Sequence, residues 1–148
     1  MDDLGLLSLE SSKDLYEKLK YDFQKLKDKE TTYNYFNFIL VAFHLSEWIK
    51  CDESICNSTK KLISTKLISN NIDLFRDLAN RAKHFKLSNH RITKTSDEFI
   101  PGFDYSKFDF SKVNFGGNIY LVQQDGNDVD LLNECSKIFE VYKDIFEN

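Results

Sequence analysis

Six polar side chains that can bind anions or transfer protons stand close together in LFRDLANRAKHFKL, residues 74–87. Histidine titrates near neutral pH and serves as a general acid or base, and an arginine guanidinium binds phosphate through two parallel hydrogen bonds. A carboxylate or amide beside an imidazole orients the ring and tunes its pKa. These residue types together suit acid–base chemistry near neutral pH. They are Arg76, Asp77, Asn80, Arg81, Lys83 and His84.

The same stretch has the apolar spacing of a helix, which we predict over residues 71–87. At about 100° per residue, its apolar side chains gather on one side. Asp77, Asn80 and His84 fall on the opposite side and are predicted to face away from the rest of the fold. The apolar set is Phe75, Leu78, Ala79, Ala82 and Phe85, with Ile72 and Leu74 at its margins.

The remaining helices follow from apolar periodicity and from residues that cap helix ends. The first, from about residue 13 to residue 29, carries an apolar stripe. The second, over residues 34–50, is apolar nearly all the way round between Phe36 and Leu45, so it is predicted to be the central helix. A third spans roughly residues 58–69, and the last follows residue 128. The stripe of the first helix is Leu15, Leu19, Phe23 and Leu26, and the predicted caps are Ser11 or Ser12, Thr31 or Thr32, Ser58, Asn70 or Asn71, and Asn127 or Asp128.

A different pattern precedes the last helix. Residues 88–103 resemble a loop, and residues 108–123 alternate aromatic and polar side chains around the turn signal of residues 116–118. We therefore predict a mainly α fold, an up-and-down bundle of four to five helices with a small β-hairpin inserted before the C-terminal helix. Residues 1–148 form one domain, with the hairpin insertion at about 103–124. With 13 Phe, 7 Tyr and one Trp, its core should be rich in aromatic rings.

Charge is distributed unevenly along the chain. Residues 60–94 hold nine basic side chains and two acidic ones, whereas the rest holds 11 basic and 22 acidic ones. Such a segment can attract a polyanion that the remaining surface repels. The alternative is that its basic side chains pair with acidic neighbours of the same fold.

Several other functions find little support in the sequence. The first residues do not have the pattern of a signal peptide, and the longest apolar run, at residues 36–45, is too short for a membrane span. Three cysteines favour free thiols in a reducing cytoplasm. His44 and Glu47 have the spacing of two metal ligands, but no second pair repeats it, so we predict no metal and no cofactor. His44 is instead predicted to be buried, bonded to a carbonyl or to Asn37.

The late helix carries a family resemblance. A helical bundle with an arginine, a polar neighbour and then a histidine resembles the HEPN superfamily, the higher eukaryote and prokaryote nucleotide-binding domains. Many members are metal-independent ribonucleases of toxin–antitoxin and phage-defence systems. The resemblance implies that Arg76 holds the phosphate, Asp77 is the polar neighbour and His84 is the acid or base. Seven residues separate Arg76 from His84, a longer spacing than the family's usual motif.

The resemblance also implies a homodimer through the helix at 71–87, with the active site across the interface. Asn80 completes the candidate catalytic set, and the candidate RNA-binding residues are Arg81, Lys83, Lys86 and Arg91. The leading hypothesis is a cytoplasmic, HEPN-like domain that binds or cleaves RNA as a metal-independent endoribonuclease in a toxin–antitoxin or antiviral defence setting. The alternative is a non-catalytic protein-interaction module, either an adaptor or an antitoxin or immunity partner.

Overall fold

The computed structural model describes residues 5–84, 92–97, 106 and 120–148. It confirms a mainly helical fold with a small antiparallel sheet before the C-terminal helix. The helices are α1 (Ser12–Asp28), α2 (Thr32–Cys51), α3 (Asn57–Ser69), α4 (Ile72–Lys83) and α5 (Leu131–Glu147), and the strands are β1 (Ile92–Ser96), β2 (Leu121–Gln124) and β3 (Asn127–Asp130).

Side-chain caps fix where three helices begin. Ser11 accepts a hydrogen bond from the Asp14 N–H, and the Asp14 carboxylate accepts one from the Ser11 N–H, which is a capping box. Thr31 caps α2, as predicted. The cap predictions for α3 and α5 were wrong: α3 begins one residue before Ser58, and α5 is capped by Asp130, beyond the predicted Asn127 or Asp128.

The core is built around α2, which contacts the four other helices. The predicted stripe of α1 is buried, from Leu15 to Leu26. Rings of three helices meet here, because Phe38 of α2 packs against Phe23 of α1 and edge-on against Phe75 of α4. The core is therefore rich in aromatic rings, as the composition predicts.

The solvent side of α2 corrects one prediction. His44 is exposed, as are Asn37 and Glu47, so the imidazole is neither buried nor bonded to Asn37 as expected. Glu47 pairs with Lys50 at 2.9 Å rather than with a metal or a histidine. An apolar pattern that runs almost round a helix does not identify the side facing solvent, which is why the sequence misplaced His44.

The three strands pair in the order β1-β2-β3. The hairpin joins β2 to β3 through Asp125 and Gly126, which both have positive φ, at 50° and 79°. This is the backbone that a two-residue hairpin loop requires. The observed hairpin therefore lies later in the chain than predicted. The predicted second strand exists at 121–124, but it pairs with the residues that follow it. Residues 116–118, the predicted turn, lie outside the described residues.

Strand β1 is a second correction, because residues 92–96 were predicted to be part of a loop. Three β-branched residues stand in ITKTS, a composition that favours a strand. β1 pairs antiparallel with β2, from Ile92 opposite Gln124 to Ser96 opposite Leu121. Along the chain, the sheet thus starts at residue 92, closer to the end of α4 than the predicted hairpin at residues 108–123.

Long-range hydrogen bonds tie the helix ends together. Asp52, which ends α2, accepts a hydrogen bond from the Ser12 N–H at 3.0 Å. The buried Tyr142 hydroxyl of α5 donates to the Ala42 carbonyl at 2.7 Å, and Tyr16 of α1 donates to Glu147. Each bond joins segments far apart in the chain, so together they fix the relative positions of α1, α2 and α5.

Asp52 makes the fold sensitive to acid. Burial acts to raise the pKa of this carboxyl, but hydrogen bonds from Ser54 and from the Ser12 N–H outweigh it and lower the pKa from 3.8 to about 2. A carboxyl whose pKa is lower in the folded state stabilises it above the unfolded-state pKa and loses this effect as the pH falls through the folded-state value.

We predict that Asp52→Asn lowers the free energy of unfolding at pH 6, because the amide is a weaker acceptor for both partners. The difference from the parent protein should shrink as the pH falls from about 4 to about 2. Urea unfolding at several pH values measures it. Glu53→Gln, at the exposed neighbouring position, is the control and should show no such window. A constant difference across all pH values would contradict the prediction.

Candidate nucleic-acid interface

Helix α4 is held at its first residue by the sheet. Asn71 adopts the left-handed conformation, with φ 65° and ψ 41°, and makes no side-chain cap. Its amide instead exchanges two hydrogen bonds with Gln124 of β2, at 2.9 and 3.0 Å. Asparagine tolerates the left-handed conformation better than most residues do. Because the Asn71 side chain does not cap the helix, it can pair with the strand.

The buried side of α4 orients its polar residues. Leu74, Phe75, Leu78 and Ala79 are buried, whereas Ala82 is exposed. Leu74, predicted at the margin of the apolar face, is completely buried. Asn80 is partly exposed, as the periodicity of the sequence predicts. Asp77 was predicted to face away from the fold, but its side chain is only 14% exposed and its Oδ2 atom is buried.

The helix ends before the candidate histidine. α4 stops at Lys83, and His84 follows with extended backbone angles of −116° and 122°, its N–H donating to the Asn80 carbonyl at 2.9 Å. The predicted helix continued to residue 87, so the prediction that placed His84 on the polar side of this helix was wrong. His84 is exposed, and Phe85 and Leu87 lie outside the described residues.

Arg76 is engaged by two carboxylates of its own helix. Its Nη1 lies 3.0 Å from Asp73 Oδ1, and its Nε lies 3.3 Å from Asp77 Oδ1. Asp77 therefore contacts the candidate phosphate-binding arginine. A phosphate approaching Arg76 would have to compete with both carboxylates, which weakens its electrostatic attraction.

The two arginines of α4 line different clefts. Arg76 lines the helical cleft, a space of about 190 Å³ between α2, α3 and α4 that also contains Lys60 and Ile68. Arg81 lines the sheet cleft, a space of about 400 Å³ between α2, α4 and the sheet. The structure thus separates Arg81, a candidate RNA-binding residue, from the candidate catalytic arginine.

The sheet cleft contains groups that sequence reasoning missed. Phe36 stands at its edge with 46% of its surface exposed, while Leu78 and Ala82 contribute from α4. Asp97, just after β1, supplies a carboxylate that accepts a hydrogen bond from the Thr32 hydroxyl at 3.3 Å. Local sequence signals did not indicate this cleft, since the approach of β1 to α2 is a long-range contact.

Helix α3 presents positive charge that carboxylates do not neutralise. Lys61 and Lys66 are exposed, and the Lys60 ammonium donates to the Lys50 carbonyl at 2.9 Å. Within the part of the chain that the structure describes, none of these three lysines forms an ion pair. The alternative explanation of the basic segment, pairing with acidic neighbours of the same fold, therefore applies to Arg76 but not to the lysines of α3.

The structure describes two of the four candidate RNA-binding residues. Arg81 and Lys83 are exposed in the last turn of α4, where positive charge is favourable beside the helix C-terminus. Lys86 and Arg91 lie outside the described residues. Among the residues described, no group of three or more His, Cys, Asp or Glu side chains is placed to hold a metal ion.

Cys56 occupies the residue before α3 and is exposed. Its sulfur lies 3.3 Å from the Ser58 hydroxyl and 3.0 Å from the Thr59 hydroxyl, and these bonds lower the pKa of the thiol to about 7. Cys51 is also exposed, whereas Cys135 is completely buried and burial raises the pKa of its thiol. All three thiols are free, as the cysteine count predicts.

Comparisons with known proteins add no relative: no protein-family model, curated protein or solved structure matches the chain. In the described ranges, no helix has both the length and the apolar character needed to cross a membrane.

We predict that iodoacetamide alkylates Cys56 with a half-maximal rate near pH 7, because the thiolate is the reactive form. Ser58→Ala should shift this midpoint to higher pH, and Thr59→Ala should do the same. Peptide mass spectrometry separates the three sites, and Cys135 should stay unmodified until the protein unfolds. An identical Cys56 profile in the folded and urea-unfolded protein would contradict the prediction.

Proposed function

We propose that this domain binds RNA through the basic surface, which we define as Lys61 and Lys66 of α3 with Arg81, Lys83 and His84 at the end of α4. The absence of ion pairs on the α3 lysines, within the described residues, carries the proposal. Lysines without an ion pair contribute the most binding free energy with a polyanion, because binding releases the counterions condensed on its phosphates.

The overall charge supports the same proposal. The chain has a net charge of −4, so its acidic remainder repels RNA and restricts contact to the basic surface. His84 is exposed there and accessible to a ribose. Three free thiols agree with a reducing cytoplasm as the site of action.

Cleavage is the further part of this proposal. The exposed His84 imidazole would take the proton of a ribose 2′-hydroxyl, whose oxygen then attacks the adjacent 3′-phosphate. The P–O5′ bond breaks as the 2′,3′-cyclic phosphate forms, and the 5′-oxygen leaves with a proton from the imidazolium or from water, so the step needs no metal. Arg76 would stabilise the charge on the phosphorane, in competition with Asp73 and Asp77. The geometry of Arg76 therefore favours binding over cleavage. Pairing of two protomers through α4, and a toxin or phage-defence setting, rest on the resemblance to the HEPN superfamily.

One observation favours the alternative, a non-catalytic protein-interaction module. Leu62 and Ile68 of α3 expose 57% and 66% of their surfaces beside the lysines. Large exposed apolar side chains on one helix are a feature of surfaces that bind proteins. This alternative predicts neither binding nor cleavage of RNA in the two experiments below.

We predict that Lys61→Ala with Lys66→Ala weakens binding to every single-stranded RNA to a similar degree. The slope of log K against log salt concentration should fall by about one unit for each phosphate that a lysine no longer neutralises. Fluorescence anisotropy across a salt series measures both. Lys13→Ala with Lys29→Ala removes the same charge from the exposed surface of α1 and its end, and should leave the slope nearly unchanged. Equal effects of the two pairs would contradict the proposed surface.

If the domain cleaves RNA, His84→Ala should abolish cleavage of a mixed RNA pool without lowering the melting temperature, because the side chain is exposed. A chelator should have no effect. His44→Ala, at another exposed histidine, is the matched control. Asp73→Asn should raise the rate if Arg76 serves the phosphate, since it releases the guanidinium from one carboxylate. Cleavage that survives His84→Ala would exclude this mechanism.

A further inference from the structure

We infer that the sheet cleft binds a guanine base of single-stranded RNA, an inference that rests on the proposed function. The cleft has a volume of about 400 Å³, within the range of pockets that hold small ligands. It lies beside the exposed basic end of α4. RNA held there by its phosphates would have unpaired bases close to the cleft.

The apolar side of the cleft suits a flat aromatic ring. Phe36 is half-exposed at its edge, and Ile39, Leu78 and Ala82 form apolar walls. Bases of single-stranded nucleic acids stack on exposed aromatic side chains, and this contact is available to every base. Stacking on Phe36 therefore accounts for capture of a base but not for a choice among bases.

Asp97 provides the selectivity among bases. Its carboxylate lines the cleft, and the Thr32 hydroxyl at the start of α2 donates to it at 3.3 Å. A carboxylate only accepts hydrogen bonds, so it favours a base edge with two adjacent donors. Guanine has such an edge, with its ring N1–H beside its exocyclic amine, whereas the other three bases place a carbonyl or an unprotonated ring nitrogen beside their donor. Paired, charge-assisted bonds of this type are strong and directional.

The charges around the cleft favour a nucleotide over an apolar peptide. Arg81 lines the cleft, and the exposed Lys83 and His84 follow it in the chain. A guanine nucleotide presents N–H donors at one end and a phosphate at the other, so it can use Asp97 and the basic end of α4 together. An apolar side chain would leave the carboxylate in the cleft without a donor from its ligand.

The test is a titration of the ¹⁵N-labelled protein with GMP, IMP and CMP, followed by NMR. IMP differs from GMP only by lacking the exocyclic amine. GMP should shift the amide signals of Phe36 and Ala82 and bind at least about tenfold more tightly than IMP, because IMP can form only one of the two charge-assisted bonds. CMP should bind more weakly than GMP. Equal affinities for the three nucleotides, or shifts confined to other surfaces, would overturn the inference.

Three variants separate the cleft from the basic surface. Asp97→Asn keeps an acceptor for Thr32 but should abolish the preference for GMP over IMP. Ala82→Trp, at an exposed position, should fill the cleft and weaken GMP binding while the melting temperature is retained. Lys61→Ala with Lys66→Ala should lower RNA affinity without changing the ratio of GMP to IMP affinity.

The same variants distinguish failure of this inference from failure of the proposed function. RNAs that differ by a single guanine should bind with different affinities to the parent protein and with equal affinities to Asp97→Asn. If the parent protein binds both RNAs equally and with strong salt dependence, RNA binding stands and the guanine cleft falls. If GMP binds in the cleft but no RNA binds, the cleft stands and the proposed function falls.

Discussion

The packing of α4 against α2 determines where the two arginines of α4 lie. Phe75 and Leu74 are completely buried, and Phe75 meets Phe38 of α2 edge-on at 6.3 Å. Burial of each such side chain is worth about 1.5–3 kcal/mol, whereas an exposed ion pair contributes about 0–1 kcal/mol. The apolar contact therefore sets the rotation of the helix, and the pairing of Arg76 with Asp73 follows from it. That rotation directs Arg76 into one cleft and Arg81 into another.

Two kinds of positive charge result. The Arg76 guanidinium is already bound by carboxylates three residues before it and one after it. The lysines of α3 form no ion pair among the described residues, and no acidic residue stands within that helix. A strongly hydrated ammonium on a flexible stem contributes to steering more than to geometry. The surface of α3 is thus suited to attracting an anion, and the pairing of Arg76 limits its part in chemistry.

Local sequence signals predicted most of the helical fold. The stripe of α1 and the caps Ser11 and Thr31 depend on residues close in the chain, so periodicity and capping chemistry were sufficient. The sheet was harder, because two turn signals follow each other at residues 116–118 and 125–127, and β2 pairs with β1, far earlier in the chain, as well as with β3 across the second signal. His44 was misplaced because apolar residues nearly surround that part of α2.

The candidate site was predictable only in part. Residue types alone identified the polar side of α4, but the pairing of Arg76 and the end of the helix before His84 depend on three-dimensional contacts. Asp97 and Phe36 are 61 residues apart in the chain, and nothing in either local sequence indicates that they line one cleft. A site assembled from β1, α2 and α4 becomes visible only when the strands are placed.

The reciprocal amide bonds between Asn71 and Gln124 have a consequence for binding at that cleft. They fasten the first turn of α4 to the last residue of β2, so the helix and the sheet form its walls before any ligand arrives. A receptor that is already assembled loses little conformational entropy when it is occupied, and more of the contact energy remains as affinity. A pair of uncharged side chains thus preorganises the cleft.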